Sequence, residues 1–481
     1  VGYIKDFSKG RAYNAETKQM NRLYAVESTV SLTGAKADHR LAVKPSQIAE
    51  VAKAIAKAVG VAGANSAYSE NAAWVNGVAK DLTEHQGRSL VVAGRSASPA
   101  VHAIAHAMNE ALGNVGQTVI YTDPIAPGSD KLQIEQLREL VQDIDAGKVK
   151  LLVILGGNPV YNTPADLKLD PDRLNKVELR VHLGSHFDET AEYCHWHVNQ
   201  KHFLEGWSDG RAFDGTATIV QPLIAPLYDG KNAHELVQLC FKADFDKKDY
   251  DIVRAYWQTQ DIKPAAAKAE AKPEAKEAPK AGTKAPETTV PAAAKAEAVP
   301  AALPASGSSF EDNWRRASHN GIVPNTELAA KNVSVNASFL SQPETKAAGS
   351  GTVEIAILPD PSVYDGRFAN NGWLQELPNP LNKITWENVG LVSPKTAEKL
   401  GINRKNNAEE LVGGMQGTAF IDTKGGNQYS DLAKIKYQGA EIEKPVPMWI
   451  TPGQPDDVIT IFMGYGRTRA GKVGTGLGYN A

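Results

Sequence analysis

Cysteine is almost absent: Cys194 and Cys240 are the only two in 481 residues. A cubane iron–sulfur cluster usually takes four cysteine ligands, so this chain cannot build one from its own residues. The two could close a single disulfide, but sequence does not show that they approach each other. Two free buried thiols are the expected state. Long apolar runs are missing too. No stretch of about 18 or more apolar residues occurs, which excludes a membrane-spanning helix. Charge of one sign is not in excess, with 52 Lys and Arg against 55 Asp and Glu. That balance, with no basic run carrying interleaved aromatics, argues against a nucleic-acid surface. The sequence starts at Val1 with neither an initiator Met nor a signal-peptide pattern, so it is expected to be a processed or truncated piece of something longer.

The length is enough for two or three domains with full cores. The organising stretch is Leu151 to Thr163, reading LLVILGGNPVYNT. Its five leading apolar residues have the pattern of a strand buried on both faces of a parallel sheet. Gly156-Gly157-Asn158-Pro159 then stops it. Glycines there permit close backbone approach, and the carboxyl end of a parallel strand is where α/β sheets bind ligands. A tight turn with no ligand is the competing reading.

Around it the chain reads as alternating strands and helices. Asn21 to Thr33 is rich in strand formers, and Gly34 to Arg40 reads as a loop holding a solvated His39. Pro45 to Val59 reads as a helix with Ser46 as cap and Ile48, Val51, Ile55 and Val59 on its inner face. Val75 to Glu84 reads as a further helix. Ser89 to Ala93 reads as a strand ended by Gly94-Arg95-Ser96, and Pro99 to Leu112 as a helix capped by Ser98. His102 and His106 are four apart on it, a possible metal edge, but no third ligand is near and surface or core histidines are the default. Thr118 to Thr122 is a third strand, Ile134 to Ala146 a helix, and Glu178 to Leu183 a strand ended by Gly184-Ser185. This order points to an open parallel sheet whose strand ends at Gly94, Gly156 and Gly184 line one edge of a cleft.

His186 to His202 is the densest patch of potential ligands. His195 and His197 share one face if this is a strand, while Cys194 points the other way. A copper or zinc site with His202 is one reading; a polar strand crossing a cleft is the other. Ala233 to Phe241 and Tyr250 to Trp257 read as helices. Ile262 to Ser309 is a Lys/Ala/Glu/Pro linker with almost no large apolar residues, and so forms no core. Phe310 to His319 resumes an amphipathic helix with Trp314 as core anchor.

Short apolar runs from Thr352 onward, at 389–392, 417–421, 433–437, 446–450 and 458–463, suggest a smaller β-barrel. Ser393 to Gly401 reads as a short capped helix ended by glycine. Gly466 to Lys472 has P-loop spacing, but Val473 stands where Ser or Thr would hold Mg²⁺, so nucleotide hydrolysis is rejected. Arg467 and Arg469 are instead expected to close over a domain interface or a neighbouring subunit.

The turn Gly156-x-Asn158-Pro159 resembles the molybdopterin oxidoreductases. So do Gly94-Arg95, the run His102-x-x-x-His106-Ala107-x-Asn109-x-x-x-Gly113-Asn114-x-Gly116, and Asp188-Glu189-Thr190-Ala191 with Phe203-Leu204-Glu205-x-Trp207. The C-terminal part resembles that family's barrel domain. More specific motifs resemble the B subunits of alternative complex III, a bacterial quinol:electron-acceptor oxidoreductase of the respiratory chain. These are Thr33 to Arg40, Gly210-Arg211-Ala212-x-Asp214-Gly215-Thr216, Gln221 to Tyr228, and Asn370 to Pro378. Asn371, Trp373 and Glu376 in the last are read as domain-interface residues. Outside the linker the resemblance covers nearly the whole chain.

The resemblance implies an α/β fold: an open parallel-sheet domain of molybdopterin oxidoreductase type followed by a smaller β-barrel. The domains would be 1–261, a linker at 262–309, a helical and irregular connection at 310–351, and the barrel at 352–481. It implies vestigial pterin-type positions at Gly156, Asn158, Pro159, Ser185 and Asp188, with no metal ligands and no catalytic residue. The wider family's N-terminal cysteine cluster and metal-ligand segment are not found here. The implied role is a structural, cofactor-free part of an iron–sulfur subunit in a quinol-oxidising complex, with molybdopterin lost. Iron–sulfur clusters would sit in the rest of that subunit, beyond Ala481. Partners would be that half, membrane quinol-oxidising subunits and cytochrome c-type subunits, on the periplasmic face of the cytoplasmic membrane. The alternative is an active molybdenum or tungsten bis-pterin oxidoreductase fragment.

Overall fold

A computed structural model describes residues 2–13, 20–126, 131–260, 262, 309–336, 338, 352–402, 422–424, 427–437 and 439–481, with backbone alone at 422–424 and 427–429. Contacts divide the chain into two compact units. One spans 1–121, 130–198 and 330–481, the other 122–129 and 199–329.

The first unit starts with a parallel pair, Tyr24–Glu27 beside His39–Ala42. The sequence suggested a loop over 34–40. Instead Ser31 caps a helical turn at Leu32–Lys36 by accepting from the Gly34 N–H, and His39 enters a strand and stacks on Tyr24 with ring centroids 4.9 Å apart. Helix Ile48–Ala58 follows a 3₁₀ turn at Pro45–Gln47. Its Val51 and Ile55 are buried, and Ile48 and Val59 pack beside them, as the spacing implies. Ser46 does not cap it: its N–H and hydroxyl both donate to the Glu354 carboxylate. Helices Ala72–Glu84 and Pro99–Ala111 add Val75, Val78, Ile104 and Met108 to the same core. Ser98 caps the second of these by accepting from the Val101 N–H.

Two expected strands are not strands. At Ser89–Ala93 the Val91 backbone is paired by a side chain: the Asn109 amide accepts from Val91 N–H at 3.0 Å and donates to Val91 C=O at 2.7 Å. An asparagine on the neighbouring helix thus satisfies the polar groups that a strand partner would take. At Thr118–Thr122 a single bridge, Val115 to Val119, stands where a ladder was expected.

Leu151–Leu155 does pair in parallel with Leu179–Gly184, from Leu151 opposite Leu179 to Leu155 opposite Leu183. Trp196–Asn199 is the third strand of this sheet. Helix Gln133–Asp145 covers one face, with Val141 and Ile144 packed near Leu152 and Leu174. Among the described residues the other face is open. Leu151, Val153 and Leu155 alternate outward and are 52, 42 and 46 % exposed, so this strand is not buried on both sides.

The C-terminal strands form a mixed five-stranded sheet in the order Leu432–Ala433, Val446–Ile450, Gly390–Val392, Val458–Met463, Glu354–Pro359. That order is linear among the described residues, so closure into a barrel is not seen there. The strand expected at 417–421 lies outside the described residues. Helix Pro394–Leu400 is capped by Ser393 and ended by Gly401 at φ 75°, as its sequence requires.

In the second unit, Ser208–Arg211, Ala217–Val220 and Ile322–Val323 form an antiparallel sheet. Helices Asp249–Thr259 and Phe310–Asn320 share one core through Val253, Trp257, Trp314 and Ala317. The residues flanking the Lys/Ala/Glu/Pro segment therefore belong to one packed body. The segment itself, apart from Ile262 and Ser309, lies outside the described residues.

Candidate functional site

The parallel strands bring Gly156 and Gly184 side by side, with Gly156 N–H donating to Leu183 C=O at 2.8 Å. Gly156 and Gly157 both have positive φ, 73° and 76°, which glycine adopts without a Cβ penalty. Pro159 opens the helical turn Pro159–Asn162, where its missing N–H is of no consequence. Asp188 caps the turn Glu189–Glu192 by accepting from the Thr190 and Ala191 N–H groups. Ser185 is exposed, its hydroxyl 3.0 Å from His186 Nδ1.

Asn158 is buried and both ends of its amide are engaged. Its nitrogen donates to Glu189 Oε2 at 2.7 Å, and its oxygen accepts from the Thr190 N–H and hydroxyl. Glu189 is the hub. The Arg467 guanidinium donates to it through Nε at 3.0 Å and Nη2 at 2.7 Å, and the Thr468 and Arg469 N–H groups donate at 2.8 and 2.9 Å. Arg467 also donates to Gly366 C=O and lies over the Tyr161 ring, 4.7 Å from its centroid. Tyr161 reaches the Tyr465 carbonyl at 2.6 Å. Arg469 pairs with Glu192 at the rim.

Burial pushes the Glu189 carboxyl up, but hydrogen bonds from Arg467, the Arg469 N–H and Asn158 outweigh it and hold it down at about 2. Burial pushes the Tyr161 phenol up to about 12 despite the Arg467 charge. The cluster is thus an ion pair with its donors and acceptors matched, not a proton-transfer site poised near neutrality.

The basic glycine loop at 466–472 is the lid of this cluster. It forms no P-loop helix beyond the short turn Gly471–Gly474. Sequence reasoning named Asn158 and Asp188 but not the Glu189–Arg467 pair. The partners lie 278 residues apart, and the only hint was two arginines in a glycine-rich loop.

A pterin dinucleotide needs free polar groups at such strand ends. Here both ends of the Asn158 amide are engaged and Asp188 caps a turn. Among the described predicted positions, the exposed Ser185 and the space over Gly157, where an added Cβ would meet nothing within 4 Å, stay available. These residues do not fit that group.

The histidines are also committed. His195 Nδ1 accepts from the Arg180 N–H, His197 faces His182, and His202 Nδ1 accepts from the Leu204 N–H. His106 meets the Tyr121 hydroxyl at 2.8 Å. Among the described residues no group of three or more His, Cys, Asp or Glu could hold a metal ion. Both cysteines are free, but Cys240 is exposed rather than buried, while burial pushes the Cys194 thiol up. Asn371 caps the turn Gly372–Glu376, and Trp373 beside it is 85 % exposed. In the second unit a cleft of about 540 Å³ is lined by Phe245, Asp246, Lys247, Asp251 and Arg254 among others. None of the sequence-predicted site positions lines it.

No protein family and no curated protein matches the sequence. Among solved structures, acetylene hydratase from Pelobacter acetylenicus is similar over 94 % of this chain and 69 % of that one, with 11 % identity and a TM-score of 0.47. That likeness is too distant to carry an argument about function.

Proposed function

We propose that this chain is a non-catalytic, molybdopterin-enzyme-like scaffold, part of an iron–sulfur subunit of alternative complex III type in a quinol-oxidising respiratory complex. The observation that carries the reading is the buried Asn158–Glu189–Arg467 cluster, whose groups bond one another. The chain's own Glu189 carboxylate takes the Arg467, Thr468 and Arg469 donors that a bound anionic group would need free. The open apolar face of Leu151, Val153 and Leu155 supports a life inside an assembly, since parallel sheets are ordinarily covered on both faces. Among the described residues no helix is long and apolar enough to cross a membrane, so attachment there would come through partners. The sequence motifs supply the partner identities: an iron–sulfur half, membrane quinol-oxidising subunits and cytochrome c-type subunits, at the periplasmic face.

The second reading, a molybdenum or tungsten bis-pterin oxidoreductase fragment, draws on the retained Gly156-x-Asn158-Pro159 turn and the space over Gly157. Asn158→Ala separates the two. A scaffold loses about 1–3 kcal/mol of stability from the unpaired Glu189 and Thr190 groups. Its quinol oxidation per assembled complex stays unchanged. Abolished turnover in a stable, fully assembled variant would overturn the scaffold reading.

A further inference from the structure

Along the sequence, the Lys/Ala/Glu/Pro segment divides two domains. The structure places both of its flanks in one hydrophobic core. Before it, helix Asp249–Thr259 contributes Val253 and Trp257, and the buried Ile262 follows. After it, Trp314 and Ala317 of helix Phe310–Asn320 and Val323 of the next strand enter the same cluster. Ala217 and Ile219 complete it from strand Ala217–Val220. This core is thus built from two pieces of chain, 199–262 and 309–329.

Polar bonds stitch the pieces together where the segment leaves and returns. The buried Asn313 donates from Nδ2 to Ile262 C=O at 2.8 Å. Arg254 pairs with Glu311 and lies over the Phe310 ring, 5.4 Å from its centroid. Farther along, Ala217 and Thr218 pair with Val323 and Ile322. Gln221 Nε2 donates to Ser318 C=O at 2.5 Å, the Ala217 N–H to the Thr326 hydroxyl at 2.8 Å, and the Leu328 N–H to Asp214 C=O at 2.7 Å. All of these bonds join one piece to the other directly.

We propose that the second unit is a two-piece fold, whose pieces hold each other without the stretch of chain that joins them. The segment at 263–308 is then an arm with both ends on one body, and its length sets no distance between the two units. The course of the chain supports this. It passes between the units at 121–122, 129–130, 198–199 and 329–330, never through the segment. The composition agrees, since Lys, Ala, Glu and Pro supply almost no large apolar side chain to a core.

The two ends are close enough for a short connection. Asn313, whose amide holds Ile262, stands four residues after Ser309, a rise of about 6 Å along the helix. Six residues of extended chain reach about 20 Å, well beyond that gap. Loop-closure entropy changes only with the logarithm of loop length, so a much shorter connection leaves the stability of the body nearly unchanged. A segment that spanned two separate domains could not be shortened in this way.

Replacing Pro264 to Gly307 by about six Gly and Ser residues in the full chain tests this. Hydrogen exchange is read in helix Phe310–Asn320 and at the Ala217 and Leu328 amides, with helix Ile48–Ala58 as reference. Protection that stays within about tenfold of the parent chain is the expected result, and a larger loss at these amides would overturn the two-piece fold. Should the shortened chain not fold, a cut in the folded parent decides. A site for a sequence-specific protease inserted after Gly282 severs the chain between the two pieces. The same amides should keep their protection within about tenfold after the cut. A larger loss there, with the Ile48–Ala58 helix unchanged, would show that the pieces need the joining chain and would contradict the proposal.

Discussion

The side chain on which the first unit turns is Glu189, buried with Arg467 as its counter-ion. Taking both charges out of water is costly, and the extra donors from Thr468, Arg469 and Asn158 offset that cost. Removing one partner strands the other. Arg467→Met should therefore lower unfolding stability by about 3–5 kcal/mol, read as a drop in urea midpoint at constant slope, whereas replacing Glu189 and Arg467 together by apolar residues should cost less than either alone. The sign with pH follows from the depressed carboxyl. Its folded value of about 2 lies below the ordinary 4.5, so its contribution is fully present above about pH 4.5 and fades as pH falls toward 2. Urea midpoints at pH 6 and pH 3 should differ more in the wild type than in Arg467→Met. Equal differences in the two would mean that the pair contributes nothing.

At the scale of elements, the glycine loop depends on backbone that only glycine supplies. Gly466 has φ 69°, and a Cβ there would sit 2.3 Å from the Asn480 backbone nitrogen. Gly113, at φ 65°, has open space around it. Gly466→Ala should thus destabilise by well over the roughly 1–2 kcal/mol that a left-handed alanine costs, and Gly113→Ala by about that amount. Thermal unfolding of the two variants would show it; equal losses would contradict the close approach. What the sequence reveals at this scale is local. Ser98 before Pro99, Ser393 before Pro394 and Gly401 after Leu400 act within one turn, and their helices form where the pattern places them. Ser89–Ala93 has the composition of a strand, yet Asn109, 18 positions on, takes Val91's backbone groups. Glu189 and Arg467 meet only through the tertiary fold, and neither residue's neighbours announce the other. Ser46, legible as a cap, is diverted by Glu354 for the same reason, a partner 308 positions away.

The whole molecule combines a sealed interior at the strand ends with apolar surface left outside. Leu151, Val153 and Leu155 present one open sheet face in the first unit. In the second, Leu223, Leu227 and Tyr228 are displayed on a loop whose backbone is tied down by Leu204 C=O and the Glu205 carboxylate. In the scaffold reading proposed above, these exposed apolar side chains are where partner subunits would pack. The measurement that tests this most directly is element and pterin analysis of the native, intact complex. Mo, W, Fe, Zn and Cu would be counted by mass spectrometry, with oxidised pterin fluorescence read on the same sample. Iron without molybdenum, tungsten or pterin is the expected result. Stoichiometric molybdenum or tungsten together with pterin would contradict it and make the Gly156 turn part of an active site.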